Sequence, residues 1–238
     1  MGVVVGVYRL ALAAVTFVAL FWSPSSGVSL DLEDYVYFTN QSNLLLAVVM
    51  LWGGVAVLAR RTEPQPWLWG AVTLFILITG LVSYLILDPA PPGEEVIALG
   101  LTHDQLVHRL TPIATFVHFL LMVPHRRLRI RNAAWWLAYP VAYCAFSTAR
   151  GVVSSGSPYP YGFVDVSELG YDGLLLNVLI YGVGFFVLGL ALVGIDRLLP
   201  SRALIGRPDE PTSSGGTTSR GETASPGETA STVGAPTS

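Results

Sequence analysis

The sequence alternates long apolar segments with short charged or proline-rich loops, and this alternation restricts the folds open to the chain. A helix needs roughly 20 apolar residues to cross the hydrocarbon core of a bilayer. Hydrophobic residues make up 52% of the chain and charged residues 12%, with a mean hydropathy of +0.57, a composition typical of an integral membrane protein and not of a soluble domain. We therefore predict an all-α, polytopic membrane protein with a bundle of six transmembrane helices in residues 1–200. The predicted helices cover about 2–22, 37–59, 67–87, 104–123, 134–149 and 173–199.

Charged residues in the loops are sorted by sign. Arginines follow the second, fourth and sixth segments, whereas the other three loops carry mostly Asp and Glu. Short loops rich in arginine stay in the cytoplasm, so we expect a multi-pass protein of the cell membrane with both termini cytoplasmic. Every basic residue is arginine and none is lysine, which hints at a GC-rich, bacterial coding genome. The arginines on the predicted cytoplasmic side are Arg60, Arg61, Arg126, Arg127, Arg129, Arg131, Arg197, Arg202 and Arg207.

The two ends of the chain need separate interpretations. The first apolar segment carries Arg9 near its start and lacks a clear cleavage site of small residues, but a signal peptide stays open as an alternative to a membrane span. Residues 201–238 are rich in Ser, Thr, Gly, Pro and Glu, and the sequence of Gly221–Ser225 is repeated at Gly227–Ser231. Because such a composition offers little to bury, we predict a disordered cytoplasmic tail.

Consecutive polar side chains open the second apolar segment. On a helix Thr39, Ser42 and Asn43 share one face, Asn40 lies at its edge and Gln41 points away. Lipid cannot form hydrogen bonds with these side chains, so we expect this face of the helix to contact other helices or a water-filled pocket. Two interpretations are open: hydrogen bonding between helices, or part of an active site.

A second polar stripe lies on the fourth segment. Its members recur at helical spacing, so we expect the stripe to face the bundle interior. Pro112 lacks an N–H, and its ring displaces the carbonyl four residues earlier, which belongs to His108. A kink beside His108 is therefore expected. The stripe consists of Asp104, His108, Thr111, Thr115 and His118.

Thr39 and His108 are candidates for a catalytic pair. Each lies about 6 Å inside the predicted outer boundary of its helix at 1.5 Å per residue, so the two can meet. A threonine hydroxyl becomes a nucleophile when a neighbouring base takes its proton, and histidine suits that task near neutral pH. His103 and His118 compete for the role of base. Either Asp104 or Asp88 could orient the imidazole, and candidate donors to an oxyanion are Asn40, Asn43, Asn177 and Arg150.

Several of these residues form motifs that resemble those of a known family, and the resemblance covers roughly residues 35–197. The sequence is similar to the bacterial six-helix membrane family labelled Pr-six-Pr, which is similar in turn to the androgen-induced-gene proteins of animals. The animal proteins are described as membrane threonine hydrolases that cleave fatty acid esters of hydroxy fatty acids with one Thr and one His. The resemblance implies Thr39 and His108 for those roles. It rests on Tyr37–Leu45, His108 with Pro112, Tyr159–Phe163, Leu169–Tyr171 and Asn177.

The sequence also limits cofactors and partners. Cys144 is the only cysteine, so no intrachain disulfide, zinc-finger set or iron-sulfur site can be built. All four histidines lie between His103 and His125, on or beside one helix, which disfavours a haem held between helices. We expect no metal and no cofactor, membrane lipids as partners with a lipid ester as the possible substrate, and no nucleic acid. A non-catalytic lipid-binding or structural membrane protein stays open, as does a transporter.

Overall fold

The computed structural model describes residues 2–87, 93–154 and 159–206. These residues are mostly helical, as the sequence predicts, with two short hairpins in addition. One hairpin pairs β1 (Trp22–Ser23) with β2 (Gly27–Val28), and the other pairs β3 (Val96–Ala98) with β4 (Leu101–Thr102). Both hairpins lie in loops between apolar segments. The helices are α1 (Gly2–Phe21), α2 (Phe38–Leu58), α3 (Pro66–Leu85), α4 (His103–Gln105), α5 (Thr111–Met122), α6 (Ile130–Trp136), α7 (Ala138–Val153) and α8 (Val166–Leu198).

Within the described ranges, four helices are long and apolar enough to cross a membrane: α1, α2, α3 and α8. For α1, α2 and α3, the bounds agree within about two residues with the predicted ones. The outward face of α8 is a row of exposed apolar side chains, which suits contact with lipid chains. This row includes Leu175, Leu176, Leu179, Ile180, Val183 and Val187.

The fourth predicted segment is helical but not a regular α-helix. A π turn over Leu106–Leu110 joins α4 to α5, and the N–H of Thr111 bonds the carbonyl of Leu106, five residues earlier. Pro112 comes directly after Thr111. The irregularity expected from this proline is thus a π turn that contains His108.

The fifth and sixth predicted segments need correction. The fifth is not one short helix over 134–149 but two helices, α6 and α7, with Leu137 between them. Pro140 explains the break, because its ring displaces the carbonyl of Trp136. The sixth begins at Val166 rather than at 173, because the Asp165 carboxylate caps the helix, and the helix then bends at Gly170 with φ of 67°.

Helix α1 packs along α2 and is fixed to the bundle by Arg9, a fully buried side chain. The Arg9 Nε–H donates to His118 Nε2 at 2.9 Å, and its Nη1 donates to the Gly53 carbonyl at 3.1 Å and to Glu63 at 2.6 Å. A Cβ on Gly54 would lie 2.8 Å from the side chain of Leu10, so this glycine permits the close approach of α1 to α2. The guanidinium also lies over a tryptophan ring, at 4.6 Å from the centroid.

Candidate active site

Thr39 is the second residue of α2, and its hydroxyl meets the imidazole of His108. The Thr39 Oγ1 lies 3.0 Å from His108 Nε2, across two helices and 69 residues of sequence. Only 8% of Thr39 is exposed, so competing water has limited access to the hydroxyl. The two residues that the sequence pairs by depth are therefore in hydrogen-bonding contact.

The second imidazole nitrogen of His108 faces Asp104. The distance from His108 Nδ1 to Asp104 Oδ1 is 2.7 Å. A carboxylate accepts only, so Nδ1 carries the proton and Nε2 is left as the acceptor for the Thr39 O–H. The result is a continuous chain, carboxylate to imidazole to hydroxyl, with the polarity that general-base activation of a nucleophile requires.

Asp104 is placed by local structure at the start of α4. Thr102 caps this helix: its hydroxyl accepts from the Gln105 N–H, and the Gln105 side chain accepts from the Thr102 N–H. This capping box fixes the turn that carries Asp104. Asp104 and His108 then face each other four residues apart on one side of the helix.

Asn43 and Ser42 connect the helices around this chain. The Asn43 amide donates to the carbonyls of Thr39 and Val107, at 2.9 and 3.3 Å, and its oxygen accepts from the Thr111 hydroxyl at 2.8 Å. Ser42 lies 2.8 Å from the hydroxyl of Thr79 on α3. These contacts hold α2, α3 and the π turn in register, so Asn43 and Ser42 act in positioning and do not reach into a pocket.

Other polar residues singled out from the sequence have different places. The Asn40 amide donates to the carbonyl of Asp34, and the Asn177 amide donates to the carbonyl of Phe163. Arg150 pairs with Glu33, in the segment before α2, at 2.7 Å. None of these bonds reaches Thr39. Asp88 lies outside the described residues.

Tyr161 is the contact that sequence reasoning missed. Its hydroxyl lies 3.4 Å from Thr39 Oγ1, although 122 residues separate the two in the chain. In the sequence, Tyr161 lies within Tyr159–Phe163, one of the motifs that carry the family resemblance, but that motif assigns no role to its side chain. Burial raises the pKa of the Tyr161 phenol above its ordinary value, so the hydroxyl keeps its proton at neutral pH.

Thr39 lies in the wall of an apolar cavity between α3, α7 and α8. The cavity has a volume of about 80 Å³, room for a few methylene groups. Its lining is almost wholly hydrocarbon and aromatic, and includes Ile78, Val82, Val141, Val178 and Phe185. Such a cavity suits the reacting end of an acyl chain.

A wider and more polar groove lies on the opposite face of α3. It has a volume of about 690 Å³ and is lined by Asp104, His108 and Arg109 together with α3 side chains. Leu87 borders both the groove and the apolar cavity. Thr39 therefore borders an apolar space and His108 a polar one.

The remaining histidines are engaged elsewhere. His103 Nδ1 lies 3.0 Å from the carbonyl of Ala19, His118 accepts from Arg9, and His125 lies 3.4 Å from Asp196. None of the three contacts Thr39, which leaves His108 as the histidine placed to act on that hydroxyl. In the part of the chain that the structure describes, no three His, Cys, Asp or Glu side chains are grouped so as to hold a metal ion.

The described residues form a mostly helical protein with four helices long and apolar enough to cross a membrane, and with a Thr–His–Asp hydrogen-bonded chain at the start of the second of them. No family model, no curated protein and no solved structure matches the chain.

Proposed function

We propose that this protein is an integral membrane hydrolase that cleaves the ester bond of a long-chain lipid, with Thr39 as nucleophile, His108 as base and Asp104 as the residue that orients His108. The main observation in support of this proposal is the hydrogen-bond chain from Asp104 through His108 to Thr39, with distances of 2.7 and 3.0 Å. It ends at the wall of an apolar cavity. A purely structural hydrogen bond between helices needs neither the carboxylate nor the cavity.

The reaction proceeds in two steps, acylation of Thr39 and hydrolysis of the acyl–threonine. Thr39 Oγ1 bonds to the ester carbonyl carbon while its proton passes to His108 Nε2, and the carbonyl becomes an oxyanion. The carbon–oxygen bond to the alcohol then breaks, and His108 returns the proton to the leaving alkoxide. Water then attacks the acyl carbonyl carbon while its proton passes to His108. The bond from that carbon to Thr39 Oγ1 breaks, His108 gives the proton to Oγ1, and the fatty acid is released.

The two spaces beside the site suit the two halves of such an ester. The apolar cavity beside Thr39 receives the acyl end, and the polar groove beside His108 receives the alcohol and admits water. His108 lies on the groove side, where the leaving alkoxide needs its proton. This division follows from the different linings of the two spaces.

Six spans with both termini cytoplasmic are part of this proposal. The chain is helical without interruption from His103 to Met122, and from Ile130 to Val153 apart from Leu137, so both stretches are long enough to cross at 1.5 Å per residue. The arginine-rich loops then all fall on one side. Thr39 and His108 lie at the opposite, outer end of the bundle.

The resemblance to the Pr-six-Pr family and to the androgen-induced-gene proteins of animals supports the choice of substrate class. It rests on motifs alone, among them Tyr37–Leu45 and His108 with Pro112. Fatty acid esters of hydroxy fatty acids are accordingly the first substrates to test.

The test is covalent labelling by a fluorophosphonate probe in membranes, competed by a long-chain ester. We expect labelling of the wild type, none in Thr39→Ala, and almost none in His108→Ala, because an unassisted hydroxyl is protonated and unreactive. Thr73→Ala is the matched control: Thr73 is also a buried helical threonine, but its hydroxyl bonds only the Trp69 carbonyl of its own helix. Equal labelling of wild type and Thr39→Ala would overturn the assignment.

A non-catalytic lipid-binding protein is the second candidate, favoured by the apolar cavity and by the contacts of Ser42 and Asn43 between helices. It predicts that lipid bound to the purified protein is retained in Thr39→Ala and is never hydrolysed. Release of free fatty acid by the wild type but not by Thr39→Ala would support the hydrolase over the lipid-binding protein.

A further inference from the structure

We propose that the Tyr161 hydroxyl is the donor that stabilises the oxyanion formed when Thr39 attacks an ester carbonyl. This inference rests on the proposed function and adds a catalytic residue to it. The observation behind it is the 3.4 Å separation between the Tyr161 hydroxyl and Thr39 Oγ1.

The position of Tyr161 relative to the nucleophile suits this role. The carbonyl carbon bonds directly to Oγ1 during attack, so the oxyanion lies two bonds away from that atom. An effective donor lies about 3 Å from the oxyanion, a distance that a hydroxyl beside the nucleophile can reach. His108 makes the other contact of Oγ1, at 3.0 Å, so the base and the donor occupy separate positions around the same oxygen.

The start of α2 strengthens the Tyr161 hydroxyl as a donor. The first N–H groups of a helix have no partner within it. Tyr161 lies at this end of α2, with its hydroxyl 3.4 Å from the Thr39 hydroxyl. These N–H groups give the start of the helix a partial positive charge, which favours donation by a neighbouring hydroxyl to a developing anion.

Aromatic neighbours fix the Tyr161 ring. It stacks on Phe163 with centroids 5.0 Å apart and an interplanar angle of 8°, and it meets the edge of Tyr37 at 5.8 Å. A further ring, that of Tyr143, lies 6.3 Å away. A donor held in this way needs little rearrangement when charge develops, which is the condition for strong oxyanion stabilisation.

Amide side chains near the site are committed to other acceptors. The Asn43 amide donates to two backbone carbonyls. The Asn40 and Asn177 amides donate to other backbone carbonyls, away from the Thr39 hydroxyl. Among the side chains described, His108 and Tyr161 are those in hydrogen-bonding contact with Thr39 Oγ1. Since His108 acts as the base, Tyr161 is the side chain placed to donate to the oxyanion.

The test is steady-state hydrolysis of a long-chain p-nitrophenyl ester by the full-length protein in lipid nanodiscs. We expect Tyr161→Phe to lower kcat about 10²–10³-fold with KM nearly unchanged, because the bond exists only in the transition state. Tyr139→Phe is the matched control, since this half-buried tyrosine lies outside the cavity and bonds Gln41. Its kcat is expected to stay near that of the wild type.

A second variant separates catalysis from packing. Replacement of residue 161 by 3,5-difluorotyrosine keeps the ring and the hydroxyl but lowers the phenol pKa, so donation is lost once the phenolate forms. We expect kcat of this variant to fall as the pH rises through that lowered pKa, in a range where the wild type is still active. A merely structural tyrosine would leave the pH profile unchanged.

The outcomes distinguish this inference from the proposed function. If the wild type shows no hydrolysis that depends on Thr39, both are overturned. If hydrolysis depends on Thr39 but Tyr161→Phe retains the wild-type kcat, or the difluorotyrosine variant keeps the wild-type pH profile, only the oxyanion role is overturned.

Discussion

At the scale of residues, Thr39 is held by its backbone so that its hydroxyl stays available. The Thr39 carbonyl accepts from the Ser42 hydroxyl and from the Asn43 amide, at 3.0 and 2.9 Å, whereas its Oγ1 faces His108. Threonine is β-branched, which restricts its side chain to few rotamers. A nucleophile with few alternative positions loses less entropy on reaching the geometry of attack.

The role of Asp104 can be tested by Asp104→Asn. The amide can donate to His108 Nδ1, which would move the imidazole proton to Nε2 and remove the acceptor for the Thr39 hydroxyl. We expect hydrolysis and probe labelling to fall about 10²–10⁴-fold, the usual contribution of a positioned base. Asp34→Asn, at an exposed carboxylate in the short 3₁₀ helix before α2, serves as control. Equal rates for Asp104→Asn and wild type would remove Asp104 from the mechanism.

At the scale of elements, the π turn over Leu106–Leu110 determines where His108 points. One extra residue in a helical turn rotates the preceding part of the helix relative to the part after it, so the direction of His108 differs from that in a regular helix. Pro112 removes the N–H that would bond the His108 carbonyl. Gly80 on α3 accommodates this region, since a Cβ there would lie 2.9 Å from the Pro112 ring and 3.2 Å from the His108 carbonyl.

Replacement of this proline tests whether the π turn positions the base. Pro112→Ala restores the N–H and favours a regular helix, which would rotate His108 away from Thr39. We expect at least a tenfold loss of labelling, the cost of about 1.4 kcal/mol in the activated geometry, with no loss of thermal stability. Pro66→Ala is the control, because Pro66 opens α3, where an N–H has no partner in any case. Full labelling of Pro112→Ala would show that the π turn is dispensable.

At the scale of the whole molecule, α1 is an integral part of the bundle. Arg9 connects it to α2, to α5 through His118, and to Glu63 in the loop after α2. A buried guanidinium is tolerated only where several groups compensate its desolvation, as the carboxylate, carbonyl and imidazole do here. These contacts favour a membrane span over a cleaved signal peptide for the first segment.

Membrane topology is tested by reporters fused at three positions. A reporter after Arg202 and one near Arg127 should read cytoplasmic, whereas one in the loop of Gly93–Gly100 should read external, because the arginines stay in the cytoplasm. An enzymatic reporter that is active only outside the cytoplasm, paired with one active only inside, gives the measurement. An external signal after Arg202 would contradict the six-span arrangement.

The long apolar segments of the sequence predicted the helical character of the chain, because a helix satisfies its backbone polar groups within the segment itself. The sequence also predicted that Thr39 and His108 can meet, since the position of each along its own helix fixes its depth. It could not choose between Asp104 and Asp88 as the partner of His108, because both fit by depth. The described contact of His108 is with Asp104.

Tertiary structure alone decided which side chains surround Thr39. Asn40, Asn177 and Arg150 were candidates by type, yet each is bonded elsewhere, since rotation about a helix axis is set by packing between helices and not by local sequence. Tyr161 reaches Thr39 from a loop 122 residues away, and no local pattern encodes so distant a contact. The residue types and their depths were thus readable from the sequence, whereas the direction of each side chain depended on how the helices pack together.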